Sequence, residues 1–182
     1  MSAPSTGHGT DCPRPPTGDR ALDGTSVPPP GGPLVLRGAG EVTTRAGREL
    51  GVSAWTRVGQ DRIDAFARCT GDGYWLHTDP VRAAEEPIGS TIAHGLLTLA
   101  LGPAMTYEIV TFEGFTAGLN YGYERVRFVA PVPVDSRLRL RLRLAEAEET
   151  DGNLLLRLEQ TFELAHQDRP ACVAVTLLKL VA

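Results

Sequence analysis

From Arg137 to Leu144 the chain alternates Arg and Leu without interruption, a period of two that gives a strand one wet face and one dry face. Strand-like patterning covers residues 136–148 and recurs over 117–129, 153–165 and 171–181. Pro131 and Pro133, Asp151-Gly152, and Gln167-Asp168-Arg169-Pro170 separate these stretches. Nearer the N-terminus, Val52 to Val58 reads as a short strand between Gly51 and Gly59. Ile63, Phe66, Ala67 and Thr70 follow at the spacing of a short amphipathic helix that Gly71 stops. Residues 72–90 hold Asp72, Gly73, Pro80, Pro87 and Gly89, a long irregular connection with one helical turn near Val81 to Glu85; such connections inside a compact domain are usually functional. Then Ile92, Ala93, Leu96, Leu97, Leu99, Ala100, Leu101, Ala104 and Met105 run most of the way round a helical wheel, which predicts a buried helix. Helix, loop, buried helix and antiparallel strands together predict an α+β fold in which a curved sheet wraps a central helix.

Register can be read for the Arg/Leu strand. A three-residue loop over 150–152 sets Leu144 opposite Leu158, Leu140 opposite Phe162 and Leu138 opposite Leu164, with Arg143 opposite Glu159 and Arg139 opposite Glu163. A two-residue loop would oppose Leu144 and Glu159, so the longer loop is expected. The stripe of Arg137, Arg139, Arg141 and Arg143 then reads as a solvated face of ion pairs, each contributing ~0.5 kcal/mol, rather than a phosphate site.

Composition trims this picture at one end. Residues 1–33 hold eight of the 14 prolines and six of the 20 glycines with one Leu and one Val, so they are expected to form a disordered tail. The remaining 34–182 are long enough for one well-filled core; Leu34 to Val42 reads equally as a frayed strand or as linker. A net charge of −4 from 18 basic and 22 acidic side chains removes the electrostatic case for nucleic acid. No apolar run reaches the ~18 residues of a membrane span, and the N-terminus lacks a charged-then-apolar leader pattern. Cys12, Cys69 and Cys172 are odd in number and unclustered, which predicts reduced thiols in the cytoplasm, with Cys69 and Cys172 acting as small buried hydrophobes and no zinc site.

Two side chains of the long connection invite chemistry. Asp72 and His77, a carboxylate and an imidazole at the mouth of an apolar interior, supply a base and an acid for one proton transfer. Taken alone, an Asp after Gly is more often a turn former and a lone loop His a surface residue. Gly95, near the start of the buried helix, adds unpaired backbone N–H groups that a carbonyl oxygen can approach closely. The trio suits removal or addition of a proton beside a thioester carbonyl.

The strings TGDGYWLHTDP and IGSTIAHGLLTLAL resemble the MaoC-like (R)-specific enoyl-CoA hydratase family, whose pattern is a GD-x-x-x-x-H-x-D loop followed by a helix-opening A/V-H-G. The resemblance extends through ELGVSAWTRVGQDRIDAFA, NYGYERVRFVAPVPV and PACVAVTLLKL, and within the family it is nearest the nodulation-protein-N-like branch. It implies a single hot-dog domain over 34–182 and an acyl-thioester hydratase/dehydratase that interconverts trans-2-enoyl and (R)-3-hydroxyacyl thioesters. By position, Asp72 and His77 activate the water and the Gly95 N–H holds the thioester oxygen. Tyr74, Trp75, His94 and Asn120 are the candidate substrate contacts. His94 also reads as an anchor of the helix start, and Asn120 with Tyr121 as a contact to a partner chain. Tyr74-Trp75 stands where many members have Asn-Pro, and Ala100 and Pro103 occupy the region where some place a Ser. Asp79, before Pro80, reads as a brace for the loop; Trp55, Phe66, Phe128 and Phe162 read as core or interface aromatics. No metal or other cofactor is implied. The expected partners are a coenzyme A or acyl carrier protein thioester and a second copy of the chain, with no nucleic acid or membrane. A non-catalytic thioester binder and a thioesterase on the same fold are the competing readings.

Overall fold

The computed structural model describes residues 32–182. The expected tail therefore lies outside the described residues, except Gly32 and Pro33, as does Cys12. The segment left open between strand and linker forms strand β1 (Leu34–Arg37) and then helix α1 (Gly38–Thr43). Strand β2 (Arg48–Val52) and a two-residue strand β3 (Thr56–Arg57) replace the single strand expected over 52–58. Ser53, Ala54 and Trp55 separate them; the Ser53 N–H donates to Leu140 O and its hydroxyl accepts from Leu140 N–H. Helix α2 (Gln60–Thr70) ends, as predicted, at Gly71, which adopts a left-handed φ of 79° and donates its N–H to Ala67 O.

The long connection contains two short helices, α3 (Trp75–Thr78) and α4 (Pro80–Glu85). Asp79 caps α4 by accepting the Arg82 N–H at 3.0 Å, which is the bracing role read from its place before Pro80. The central helix starts later than the wheel suggests. Ala93 N–H bonds Val132 O and Ile92 bridges Pro133, so helix α5 (Gly95–Ala100) begins three residues after Ile92. It leads through Leu101, itself αR and accepting the Met105 N–H, into α6 (Gly102–Ile109).

After strand β4 (Val110–Glu113), parallel to β1, come β5 (Ala117–Phe128), β6 (Arg137–Thr150), β7 (Asn153–Leu164) and β8 (Cys172–Val181). The main sheet has the order β2-β6-β7-β8-β5, with β3 beside β6, and is antiparallel throughout. Its dry face carries Leu138, Leu140, Leu142, Leu144, Leu156, Leu158 and Phe162, all fully buried against Leu97, Met105 and Ile109 of the helix. A curved sheet around a helix is the α+β hot-dog arrangement that the resemblance implied.

The β6–β7 register confirms each pair expected near the core and corrects the loop. Asp151 and Gly152 form a two-residue turn with φ of 52° and 74°, the signature of a type I′ hairpin, and Thr150 pairs with Asn153. A bulge between Leu144 and Glu146 absorbs the one-residue difference, so Leu144 still meets Leu158. The arginine stripe is a face of ion pairs: Glu163 takes Arg139 at 2.6 Å and Arg141 at 2.7 Å, and Arg143 takes Glu159 at 2.9 Å. Partial burial pushes the Glu163 carboxyl up, but its hydrogen bonds from Arg141 and Arg139 outweigh that and hold it below the ordinary carboxylate range.

Two burial expectations are overturned. Cys69 is exposed, because it lies on the side of α2 away from the buried Ile63 and Ala67; Cys172 is buried, and desolvation pushes its thiol up to about 11. The central helix is not enclosed on all sides within one chain: Leu96, Ala100, Ala104 and Tyr107 form an exposed stripe along it.

Candidate active site

Two close backbone turns deliver the candidate residues. Asp72 sits in the two-glycine corner that ends α2, and His77 lies on the single turn of α3. Gln60, at the start of α2, holds that turn in place. Its amide Nε2 donates to His77 O at 2.7 Å and its Oε1 accepts the Thr91 hydroxyl at 2.5 Å, which ties α2, α3 and the approach to α5 together. Sequence reading passed over Gln60 because a polar residue at a helix start resembles an exposed cap; only the fold brings His77 and Thr91 to it.

His77 Nδ1 donates to Ile92 O at 2.7 Å, which fixes the tautomer and leaves Nε2 as the free ring nitrogen. Ligating atoms of Asp72, His77 and His94 all lie within 4.8 Å of one another. Asp72 is at the mouth, its side chain 56% exposed, while His94 is 3% exposed. His94 Nε2 donates to Asp72 O at 3.0 Å and so carries a proton. The imidazoles of His77 and His94 stack with centroids 3.8 Å apart.

A pocket of about 270 Å³ runs from His77 past Ile92 and Gly95 to Thr98, walled opposite by Phe128, Ala130 and Val132. Ahead of the first α5 bond, Thr98 N–H to His94 O, the N–H groups of Gly95, Leu96 and Leu97 have no carbonyl within the helix. The arrangement can hold a carbonyl oxygen at Gly95 and present an imidazole and a carboxylate to the atoms beside it. Phe128, half exposed, lays its ring over Gly95, where a Cβ would stand 3.0 Å from two ring carbons. Gly95→Ala is therefore expected to displace that ring or the helix start and to cost about 100-fold in turnover at this pocket with the fold retained, the fold being checked by circular dichroism. A fully active variant would show that close approach at Gly95 is not needed.

His77 and Gly95 share the pocket lining; Asp72 is outside that lining and joins the site through His77 and His94, whose ring nitrogens come within 4.8 Å of its carboxylate. Other candidates stand apart from the pocket lining: Tyr74 is 54% exposed with its ring 6.2 Å from that of His77, and Trp75 lies under the Arg82 guanidinium at 4.1 Å. Asn120 is on the exposed part of β5, eight residues from Phe128, where its Oδ1 accepts the Thr176 hydroxyl. His94 lies behind His77 rather than in the pocket wall. Of the aromatics, Phe162 is fully buried, Phe66 packs on His94 at 5.1 Å, and Trp55 carries the Arg139 guanidinium at 4.5 Å.

Comparison with known proteins bears on the family and the fold. Residues 41–157 match the MaoC-like domain. The chain is 41% identical over 143 residues to 3-hydroxyacyl-thioester dehydratase Z of Mycobacterium tuberculosis, covering 78% of this chain and 95% of that protein. It is 44% identical over 137 residues to nodulation protein N of Rhizobium leguminosarum bv. viciae, covering 74% and 85%. The unliganded R-hydratase PhaJ1 of Pseudomonas aeruginosa superposes with a TM-score of 0.63 over 75% of this chain and 81% of its own, at 20% identity, which supports the hot-dog fold. On a match that spans most of the domain and relatives above 40% identity, the chain belongs to the MaoC-like domain family.

Proposed function

We propose that this chain is a hydratase/dehydratase that interconverts trans-2-enoyl and (R)-3-hydroxyacyl thioesters by acid–base catalysis through Asp72 and His77. The observation that carries the reading is the approach of these two groups to within 4.8 Å, with His77 also lining a pocket that continues past Gly95. A relative at 41% identity named as a 3-hydroxyacyl-thioester dehydratase supports the substrate class.

In hydration, the Gly95 N–H takes the thioester oxygen, so negative charge developing there meets a positioned donor. His77 Nε2 and the Asp72 carboxyl flank one water. As its oxygen bonds to Cβ, one of the pair accepts its proton and the other supplies a proton to Cα, and exchange with solvent restores both. Dehydration reverses these transfers. The pair carries the step without a metal or other cofactor. Purified protein mixed with crotonyl-CoA is expected to consume the enoyl-thioester absorbance and give the (R)-3-hydroxy product. Release of free thiol would instead mark a thioesterase, and binding without turnover an accessory protein. A panel of enoyl chains on coenzyme A and on acyl carrier protein then identifies the carrier.

The partner is expected to be a second copy of this chain. β5 is a 12-residue edge strand with exposed Leu119 and Tyr121, and the central helix carries its own exposed stripe of Leu96, Ala100, Ala104 and Tyr107, two surfaces that a second copy can cover. Sedimentation should give a mass near twice 19.5 kDa. A concentration-independent monomer would exclude the pairing. No helix among the described residues is long and apolar enough to cross a membrane, and the free Cys69 and Cys172 support a cytoplasmic location.

A further inference from the structure

We infer that His94 is the positioning residue of the Asp72–His77 pair: one buried imidazole sets the Asp72 backbone and the His77 ring plane together. The inference rests on the acid–base reading of that pair. Asp72 lies between Gly71 and Gly73, and its own N–H makes only a 3.4 Å contact to the Thr70 hydroxyl. Glycine on both sides leaves this corner few conformational constraints of its own. Its carbonyl is held by His94 Nε2–H at 3.0 Å, and among the described residues no other hydrogen bond reaches it. The same Nε2 is 3.9 Å from the Asp72 carboxylate.

The other catalytic group is held by the face of the same ring. The Nδ1 bond to Ile92 O fixes one edge of His77, which leaves rotation about that edge open; the His94 ring, 3.8 Å away and tilted by 27°, closes it. Phe66 backs His94 at 5.1 Å, and the buried His94 Nδ1 has no partner among the described residues, which agrees with the proton on Nε2 that the bond to Asp72 O requires. His94 is also the residue before Gly95. A single side chain thus registers the carboxylate, the imidazole and the backbone donor against one another, at the precision that proximity effects demand.

His94→Gln keeps a donor at the depth of Nε2, whereas His94→Phe keeps a stacked ring and removes the donor. With crotonyl-CoA, His94→Phe is expected to lose about 10-fold or more in kcat with KM within about threefold, and His94→Gln to recover most of that loss. Asp72→Asn combined with His94→Phe should be no slower than Asp72→Asn alone, because the two act as a unit. Amide hydrogen exchange across residues 71–74 should quicken in His94→Phe and stay near the wild-type rate in His94→Gln. Equal exchange in all three proteins, or losses that multiply in the double variant, would overturn the inference. Should the wild-type chain fail to hydrate any enoyl thioester, the proposed function falls, and the exchange measurement still decides whether His94 holds the corner.

Discussion

Asp72→Asn is expected to lower enoyl-thioester hydration by roughly 100-fold or more while leaving the melting temperature close to that of the wild type. The argument is local. The Asp72 side chain is more than half exposed, and among the described residues it braces nothing in the core, so its loss removes a proton carrier rather than a support. His77→Gln should fall by a similar factor for a complementary reason: the amide can still reach Ile92 O in place of Nδ1, but no basic nitrogen remains at the pocket. Neither loss should recover at higher substrate concentration, because the missing interaction belongs to the transition state. Unchanged rates in both variants would remove the acid–base assignment.

The second large effect is on stability. Phe162 is fully buried on the dry face of β7, opposite Leu140, and the tip of its ring comes within 3.2 Å of where a Cβ would stand on Gly102. Phe162→Ala leaves a cavity between sheet and helix that neither side can collapse to fill, at a cost of about 3–5 kcal/mol. For a domain of this size that is a fall in melting temperature of roughly 10 °C or more, measured by calorimetry. Arg143→Ala, removing an exposed ion pair on the opposite face of the same sheet, should stay within ~1 kcal/mol and serves as the control. Equal effects from the two would mean that the sheet is not packed as described.

Local pattern and tertiary partnership divide what the sequence discloses. The Arg/Leu alternation specified the inner faces of β6 and β7 pair by pair, since a slip would have buried glutamates. The turn was misread from the same rule. Its warning was present in the sequence, because apolar positions move from even numbers up to Leu144 to odd numbers at Ala145 and Ala147, and a change of parity marks a bulge. Cys69 could likewise have been placed outside by its angle from Ile63 and Ala67 on the α2 wheel.

Other features had no local trace. The start of α5 depends on Ala93 meeting Val132, nearly forty residues away, and the exposed stripe on the central helix is apolar in the same way as its buried sides. At the candidate site, Asp72 and His77 could be singled out because they are five residues apart in one loop, and Gly95 because it opens the next apolar helix. The Gln60 clamp and the stacking of His94 on His77 come from packing between segments and had to be seen in space.

The bulge at Ala145 also bears on how this hairpin can change length. Outside it, Glu146 and Glu148 gather around Arg157 while Ala147 turns toward the core, each on the side its chemistry suits. Removing Ala145 would restore an unbroken ladder without swapping any of those sides, whereas removing any one residue from Leu138 to Arg143 would invert part of the strand. Ala145 is thus a slip joint where loss of a codon can be absorbed without disturbing the sheet that packs on the central helix.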